Sequence, residues 1–302
     1  MLWVISGAGL IVSGLVTPLL FRSMLETGSQ LPALFNCLFY YLIFLALPVW
    51  LAARRTPGLW RSLRPYPISL LSAVSVVALA LLAVFFVTDL SALWTVLLEA
   101  AGVNASGSSL AVPTTAPGLM LCVFYSAVLP GVCEELVFRG VALPAFERCG
   151  TRHAVLASAA LFAAMHGSIS GLPAHFLLGI LLGVLVVCTD SIYAGLIFHT
   201  TYNAATIILV SVANRSSAAA SAKTGRMLDI IGGPAGVATL LGEMLLMGAM
   251  MFFTLRMFRT AARLRGIPFA PHRREPMRAG EWLLLAAGLA IAVLLHALAV
   301  LS

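Results

Sequence analysis

Long apolar stretches separated by short polar connections dominate the pattern along this chain. About nine such stretches can be delimited, roughly at residues 2–20, 34–53, 68–88, 118–142, 154–169, 173–189, 192–213, 236–256 and 282–301. Roughly 20 apolar residues in a helix span the core of a bilayer. The stretches are too long and too uniformly apolar to be barrel strands, which alternate. The pattern therefore predicts an all-α, polytopic transmembrane bundle of about eight or nine helices.

Composition and charge place this bundle in a membrane and orient it. The 302 residues are 61% hydrophobic and 10% charged, with a mean hydropathy of +1.03. Basic residues cluster in two connections, Arg54–Arg64 and Arg256–Arg278. Such clusters mark cytoplasmic loops, so the net charge of +7 does not indicate nucleic acid. We expect an integral membrane protein with a cytoplasmic N-terminus, and the compact, arginine-rich chain suggests a bacterial plasma membrane.

The same pattern predicts three regions along the chain. Residues 1–117 hold the first three helices and an external loop, assigned to residues 88–117 because Ser, Thr, Gly and Pro are frequent there. Residues 118–213 hold helices four to seven, and residues 214–302 hold the last two helices with a basic cytoplasmic loop. The five cysteines have no CxxC spacing, so neither a disulfide framework nor a cysteine metal site is expected.

Three charges interrupt the fourth apolar segment in the sequence GVCEELVFRG, residues 131–140. Ionisable groups within a membrane are costly and need a partner or a function. Glu135 and Arg139 are four residues apart, so they share one face of a helix and can neutralise each other. Glu134 points about 100° away from that face. The alternative is a helix end whose charges are solvated among lipid headgroups.

Polar residues on the next helices favour a functional site over a solvated helix end. His166 lies on segment five, and His199 and Asn203 share a face of segment seven. A glutamate and a histidine together can orient and deprotonate a water molecule. A histidine and an asparagine can donate hydrogen bonds to the oxyanion of an attacked carbonyl. If these residues converge in one cavity, they supply the parts that peptide hydrolysis requires.

Other polar residues and other functions fit the pattern less well. His175 is expected near the membrane interface and Glu243 is isolated on segment eight. Asp190 is expected to cap the start of segment seven. Intramembrane Glu and His also serve as proton relays in transporters, but transporters are typified by internal repeats, and none is evident. A non-catalytic membrane scaffold is the third possibility, and it would keep its function after Glu134→Ala.

The sequences EELVFRG, FAAMH and HTTYN, in this order, resemble three motifs, EExxxR, FxxxH and HxxxN. These motifs are typical of the CAAX protease and bacteriocin-processing (CPBP) family of intramembrane endopeptidases. They fall on Glu134-Glu135-Arg139, Phe162-His166 and His199-Asn203. The similarity covers about residues 118–210. The family includes the Ras-converting CAAX prenyl endopeptidases. It implies an endopeptidase that cleaves a peptide or membrane-protein substrate at or within the membrane, with lipid around it and no nucleic acid partner. A prenylated substrate is not implied by these residues.

The resemblance also implies roles for the motif residues. Glu134 and His166 would activate water, His199 and Asn203 would stabilise the oxyanion, and Glu135 with Arg139 would hold the site together. Members of the family have been described both as metalloproteases and as glutamate proteases. Glu134, His166 and His199 are candidate ligands for a zinc ion with one open position. The metal-free mechanism is favoured, because no HExxH helix is present and Asn203 would be an unusual zinc ligand.

Overall fold

A computed structural model describes residues 31–55, 58–103, 112–113, 115–217 and 226–264. The first and ninth predicted segments, residues 2–20 and 282–301, lie outside these ranges, as does His296. Within the described ranges every regular element is a helix, and no strand occurs. The predicted all-helical class is confirmed.

The described chain forms nine helices. Helix α1 comprises Leu31–Leu38, a π-helical segment Phe39–Ala46 and Leu47–Arg55. The others are α2 (Leu59–Ser62), α3 (Leu70–Ala100), α4 (Ala116–Glu147), α5 (Thr151–Met165), α6 (Leu172–Thr189), α7 (Ile192–Ser217), α8 (Met227–Ile231) and α9 (Gly233–Leu264). Five of them, α3, α4, α6, α7 and α9, are long and apolar enough to cross a membrane.

Helix α3 is longer than the sequence pattern predicts. The external loop was expected from residue 88, but the helix continues to Ala100. Its polar residues do not break it, because Thr88, Ser91 and Thr95 each donate a side-chain hydrogen bond to a carbonyl one turn earlier. This bonding satisfies a hydroxyl inside a helix. The predicted start of the loop at residue 88 was therefore wrong.

Helix α4 contains two prolines beyond its first turn, Pro130 and Pro144, and remains continuous. Proline has no backbone N–H, so it releases the carbonyl four residues earlier. The chain relaxes into π-helical turns beside these points, at Phe124–Val128 and Phe138–Ala142. The carbonyl four residues before Pro144 belongs to Gly140, and it accepts a hydrogen bond from Ser62 at 3.4 Å. Neighbouring elements thus satisfy the backbone that the prolines free.

Helices α4 and α5 form a hairpin closed by a short turn. Gly150 in this turn has a φ of 104°, which a residue with a Cβ rarely adopts. Helix α6 then packs closely on α5, since a Cβ on Gly179 would lie 2.7 Å from the Ala159 Cα. Helix α7 packs against α3, α4 and α6. The interior between these helices therefore receives side chains from α4, α5, α6 and α7.

One end of the bundle is held by Arg64, whose side chain is 11% exposed. Arg64 contacts Glu147 at 2.5 Å, at the end of α4, and Asp190 at 3.1 Å, at the end of α6. Asp190 was expected to cap α7, but it ends α6 in the left-handed conformation. The Ser191 hydroxyl instead accepts a hydrogen bond from the Tyr193 N–H. The prediction for Asp190 was wrong because Ser191, and not Asp190, directly precedes α7, which begins at Ile192.

Candidate active site

The Glu135 carboxylate lies at the centre of a buried network. Its Oε1 accepts hydrogen bonds from Arg139 at 2.9 Å and from His199 Nδ1 at 3.0 Å. Arg139 also donates to the Gly179 carbonyl at 3.0 Å. Glu135 and Arg139 side chains are both completely inaccessible to solvent. The expected ion pair is present, and it connects α4 to α6 and α7.

Glu134 points to a different set of partners, as its position on the helix predicts. Its Oε1 accepts a hydrogen bond from the Tyr41 hydroxyl at 2.9 Å. Its Oε2 is buried without a hydrogen-bond partner among the described residues. The Nε2 atoms of His166 and His199 each lie 3.9 Å from that Oε2. One carboxylate oxygen is thus fixed, and the other faces two imidazole nitrogens.

The hairpin between α4 and α5 explains why His166 reaches Glu134. The predicted segment boundaries left the two residues at different depths in the membrane. The observed turn lies between Glu147 and Thr151, so Glu134 and His166 are almost equally far from it along antiparallel helices. Residues at equal distance from such a turn lie at the same level, since each helix rises 1.5 Å per residue.

Histidine 175 is a member of this site that the sequence pattern did not indicate. Its ring stacks on the ring of His166, with 3.8 Å between centroids and 21° between planes. Phe162 packs against His166 on the same α5 face, at 4.6 Å. Tyr41 is the other residue missed, because α1 is distant in sequence and its tyrosine resembles any apolar core residue. Glu243 is exposed on α9 and lies outside this group.

Asparagine 203 is held by the backbone of α4. Its Nδ2 donates to the Ser126 carbonyl at 3.4 Å. Ser126 is four residues before Pro130, so its carbonyl is the one that the proline leaves unbonded in an α-helix. The second N–H and the Oδ1 of Asn203 remain for the cavity that this residue lines.

A cavity of about 160 Å³ is lined by His166, His175, His199 and Asn203, by Ser91 and Tyr202, and by apolar residues of α3, α5, α6 and α7. Since each water occupies roughly 30 Å³ in the liquid, about five waters can be accommodated. The Trp94 indole donates to the Ile169 carbonyl at 2.8 Å. This bond fixes the α5–α6 connection, which forms one edge of the cavity, to α3.

Hydrogen-bond acceptors fix the tautomers of the two histidines that face Glu134. The Nδ1 of His166 lies 2.8 Å from the Phe162 carbonyl, and that of His199 contacts the Glu135 carboxylate. Both partners are acceptors, so each Nδ1 carries the proton. When neutral, both histidines therefore present an unprotonated Nε2 toward Glu134. A water between them can donate hydrogen bonds to two of the three acceptors.

A metal ion was the other candidate for this position. Imidazoles whose Nδ1–H binds a carbonyl or carboxylate are common metal ligands, so the donor types are suitable. For comparison, ligand atoms around a tetrahedral zinc ion with bonds of about 2.1 Å lie about 3.4 Å apart. Here the nitrogens are 3.9 Å from Glu134 Oε2. Among the described residues no group of three His, Cys, Asp or Glu is arranged to hold a metal, and the metal-free mechanism stays a prediction.

Glycine 195 provides a direct test of how tightly this network is packed. A Cβ at this position would lie 2.5 Å from Glu135 Oε2 and 3.0 Å from Val186. Gly195→Ala is therefore expected to displace the carboxylate and to destabilise the fold by about 1–3 kcal/mol. Thermal unfolding in detergent measures this change. Gly242→Ala on α9, where nothing lies within 4 Å, is the control, and an equal loss in both variants would contradict the argument.

The fold and site define a helical membrane protein with a buried glutamate–histidine centre. Residues 116–205 match the family described as Type II CAAX prenyl endopeptidase Rce1-like. The matched range contains every predicted motif residue, and the resemblance inferred from the sequence is confirmed over it. No curated protein matches the chain. No solved structure matches it either. The three-region division of the chain stays a prediction.

Proposed function

We propose that this protein is an intramembrane endopeptidase in which Glu134 activates a water molecule. The observation that carries the proposal is the unpartnered Glu134 Oε2, buried and faced by the Nε2 atoms of His166 and His199 at 3.9 Å each. A buried carboxylate oxygen without a donor requires an explanation. A bound water that donates to it supplies one, and the match of residues 116–205 to an endopeptidase family favours hydrolysis.

The proposed reaction begins with that water. Glu134 accepts one of its protons as the oxygen forms a bond to the carbonyl carbon of the substrate, while His166 Nε2 accepts the second hydrogen bond and orients it. A tetrahedral intermediate results. When the C–N bond breaks, the proton on Glu134 passes to the leaving amine. Tyr41 holds the opposite carboxylate oxygen at 2.9 Å, so the carboxylate keeps its orientation throughout.

The oxyanion that forms in this step needs hydrogen-bond donors. Asn203 has one N–H that is not used by Ser126 and lines the cavity, so it is the donor available without any proton transfer. His199 can donate from Nε2 only as an imidazolium, because its Nδ1–H is bound to Glu135. We therefore assign the primary oxyanion role to Asn203 and make that of His199 dependent on its protonation.

The cavity limits what can react. At about 160 Å³ it is smaller than the roughly 300–1,000 Å³ typical of pockets for whole ligands. It accommodates water and a single peptide unit. The substrate class is therefore a peptide or membrane protein that extends one segment between the helices, in a lipid environment.

Cleavage of a membrane-peptide library by the purified protein in liposomes tests the proposal. We expect new termini within or next to the apolar part of the substrates. The same liposomes loaded with a pH-sensitive dye report proton flux. Proton flux that depends on Glu134, without any peptide cleavage, would indicate a proton-coupled transporter and not a protease.

His175 is expected to position His166 through its stacked ring. Removing the ring in His175→Ala frees His166 to rotate, so kcat for cleavage should fall by about 10²-fold, as small misplacements of catalytic groups do, with little change in KM. His175→Phe keeps a flat ring and should retain most activity. Kinetics on one cleaved peptide measure both constants. Equal losses in the Ala and Phe variants would contradict a role through stacking.

A further inference from the structure

A second cavity lies beside the first turns of α5, at the opposite end of that helix from Phe162 and His166. It has a volume of about 470 Å³ and is bounded by α5, α6 and α9. We call it the basic groove; its lining residues are Thr151, Arg152, Val155, Leu156, Val184, Val187, Cys188 and Arg259. None of them belongs to the proposed catalytic site.

The groove combines apolar walls with two cations. Five of its eight lining residues are apolar or cysteine and come from α5 and α6, and Leu156 is 48% exposed. Arg152 comes from the first turn of α5 and Arg259 from the last part of α9. None of the described residues that line the groove is acidic. Glu147 at the end of α4 and Asp190 at the end of α6 both form ion pairs with Arg64.

Neither arginine has a carboxylate partner among the described residues. The ion pairs within those ranges involve Arg64, Arg139, His166 and His199, and not Arg152 or Arg259. Arg256, one turn from Arg259, differs because its guanidinium lies over the Phe252 ring at 5.2 Å. Two arginines on separate helices thus face one cavity without a carboxylate partner in the part of the chain that the structure describes.

The two arginines also come from separate basic connections of the sequence. Arg152 follows the α4–α5 turn and Arg259 belongs to the basic stretch that begins at Arg256. The stretch that contains Arg259 was assigned to the cytoplasmic side from its charge, and the same rule assigns the turn before Arg152 to that side. Their meeting in one groove places them at the same face of the bundle. That face of a bacterial membrane carries anionic phospholipid.

We propose that the basic groove binds an anionic phospholipid, with the headgroup phosphate between Arg152 and Arg259 and the upper acyl chain along Val155, Val184 and Val187. Arginine forms paired hydrogen bonds with phosphate oxygens, and basic pockets between membrane helices are suited to anionic headgroups. The volume lies within the range of roughly 300–1,000 Å³ of ligand pockets. The apolar walls favour a lipid over a free phosphate ion.

Lipid retention by the full-length protein tests this proposal without reference to peptidase activity. Protein in neutral detergent is mixed with equal amounts of phosphatidylglycerol and phosphatidylcholine, and the bound lipids are counted by native mass spectrometry. The wild type is expected to prefer phosphatidylglycerol. Arg152→Gln and Arg259→Gln should each lower that preference about fivefold, the change that corresponds to about 1 kcal/mol per basic residue near an anionic surface.

The control is Arg256→Gln, which removes the same charge one turn away and outside the groove. It should keep the wild-type preference, and all variants should unfold at the same temperature in phosphatidylcholine. Equal loss in Arg256→Gln and Arg259→Gln would overturn the proposal in favour of general surface charge. Displacement of the lipid by millimolar inorganic phosphate would overturn it in favour of a free-anion site. Equal binding of both lipids would also overturn it, because the groove would then bind acyl chains without distinguishing the headgroups.

Discussion

Glu134→Gln is expected to abolish peptide cleavage while leaving the fold intact. The amide retains an oxygen that can accept the Tyr41 hydrogen bond, which is 2.9 Å in the wild type, but it cannot take a proton from water. General-base catalysis contributes about 10²–10⁴-fold, so the rate should fall by at least about 10²-fold. Initial rates on a cleaved library peptide measure this loss.

The thermal stability of Glu134→Gln, compared with that of a Glu135 variant, distinguishes loss of the catalytic base from misfolding. Glu134 Oε2 has no partner among the described residues, so its replacement should leave thermal unfolding within a few degrees of the wild type. The unfolding transition in the same detergent provides the check. If Glu134→Gln were as unstable as a variant of Glu135, the lost activity would reflect misfolding, and the assignment of the base would lose its support.

The second large effect is expected at the buried pair of Glu135 and Arg139. Both side chains are completely inaccessible, so Arg139→Met leaves a buried carboxylate with His199 as its remaining partner. Removing one member of a buried ion pair costs about 3–5 kcal/mol. The free energy of unfolding should therefore fall by that amount, which denaturant titration in detergent measures.

The double variant Glu135→Leu with Arg139→Met separates stability from function. Replacing both charges by apolar groups removes the uncompensated charge, so at least half of the lost stability should return. Cleavage should stay low in this variant, because His199 Nδ1 loses the carboxylate that orients it at 3.0 Å. Arg256→Met, at an exposed position, is the control for loss of an arginine. Recovery of activity together with stability would show that Glu135 does not orient His199.

The sequence pattern predicted the local relations at this site well. Glu135 and Arg139 share a helix face by their spacing, and the ion pair at 2.9 Å is present. Glu134 was expected to point elsewhere, and it contacts residues of other helices. Both relations depend only on the 3.6-residue period of an α-helix, so they can be predicted without knowing how the helices pack.

Relations between distant elements were harder to predict. Tyr41 and His175 reach the site through packing of α1 and α6, and no spacing in the sequence connects them to Glu134. The depth of His166 was misjudged because the segment boundaries came from apolar runs, while α4 extends to Glu147. The start of the predicted loop at residue 88 failed for a related reason. Hydroxyl groups satisfied within α3 look like loop residues when only their polarity is considered.

The choice between a metal and a metal-free mechanism is tested by chelation. In the metal-free mechanism predicted from the sequence, cleavage should persist after dialysis against a zinc chelator.

Cleavage in water enriched in oxygen-18 reports directly whether Glu134 activates water against a peptide bond. Wild-type protein in liposomes should release library peptides whose new C-terminal carboxylate contains one oxygen-18, as read by mass spectrometry. Glu134→Gln and His166→Gln should release little or no such product. Cleavage that continues at the wild-type rate in Glu134→Gln, with the same labelling, would contradict the account.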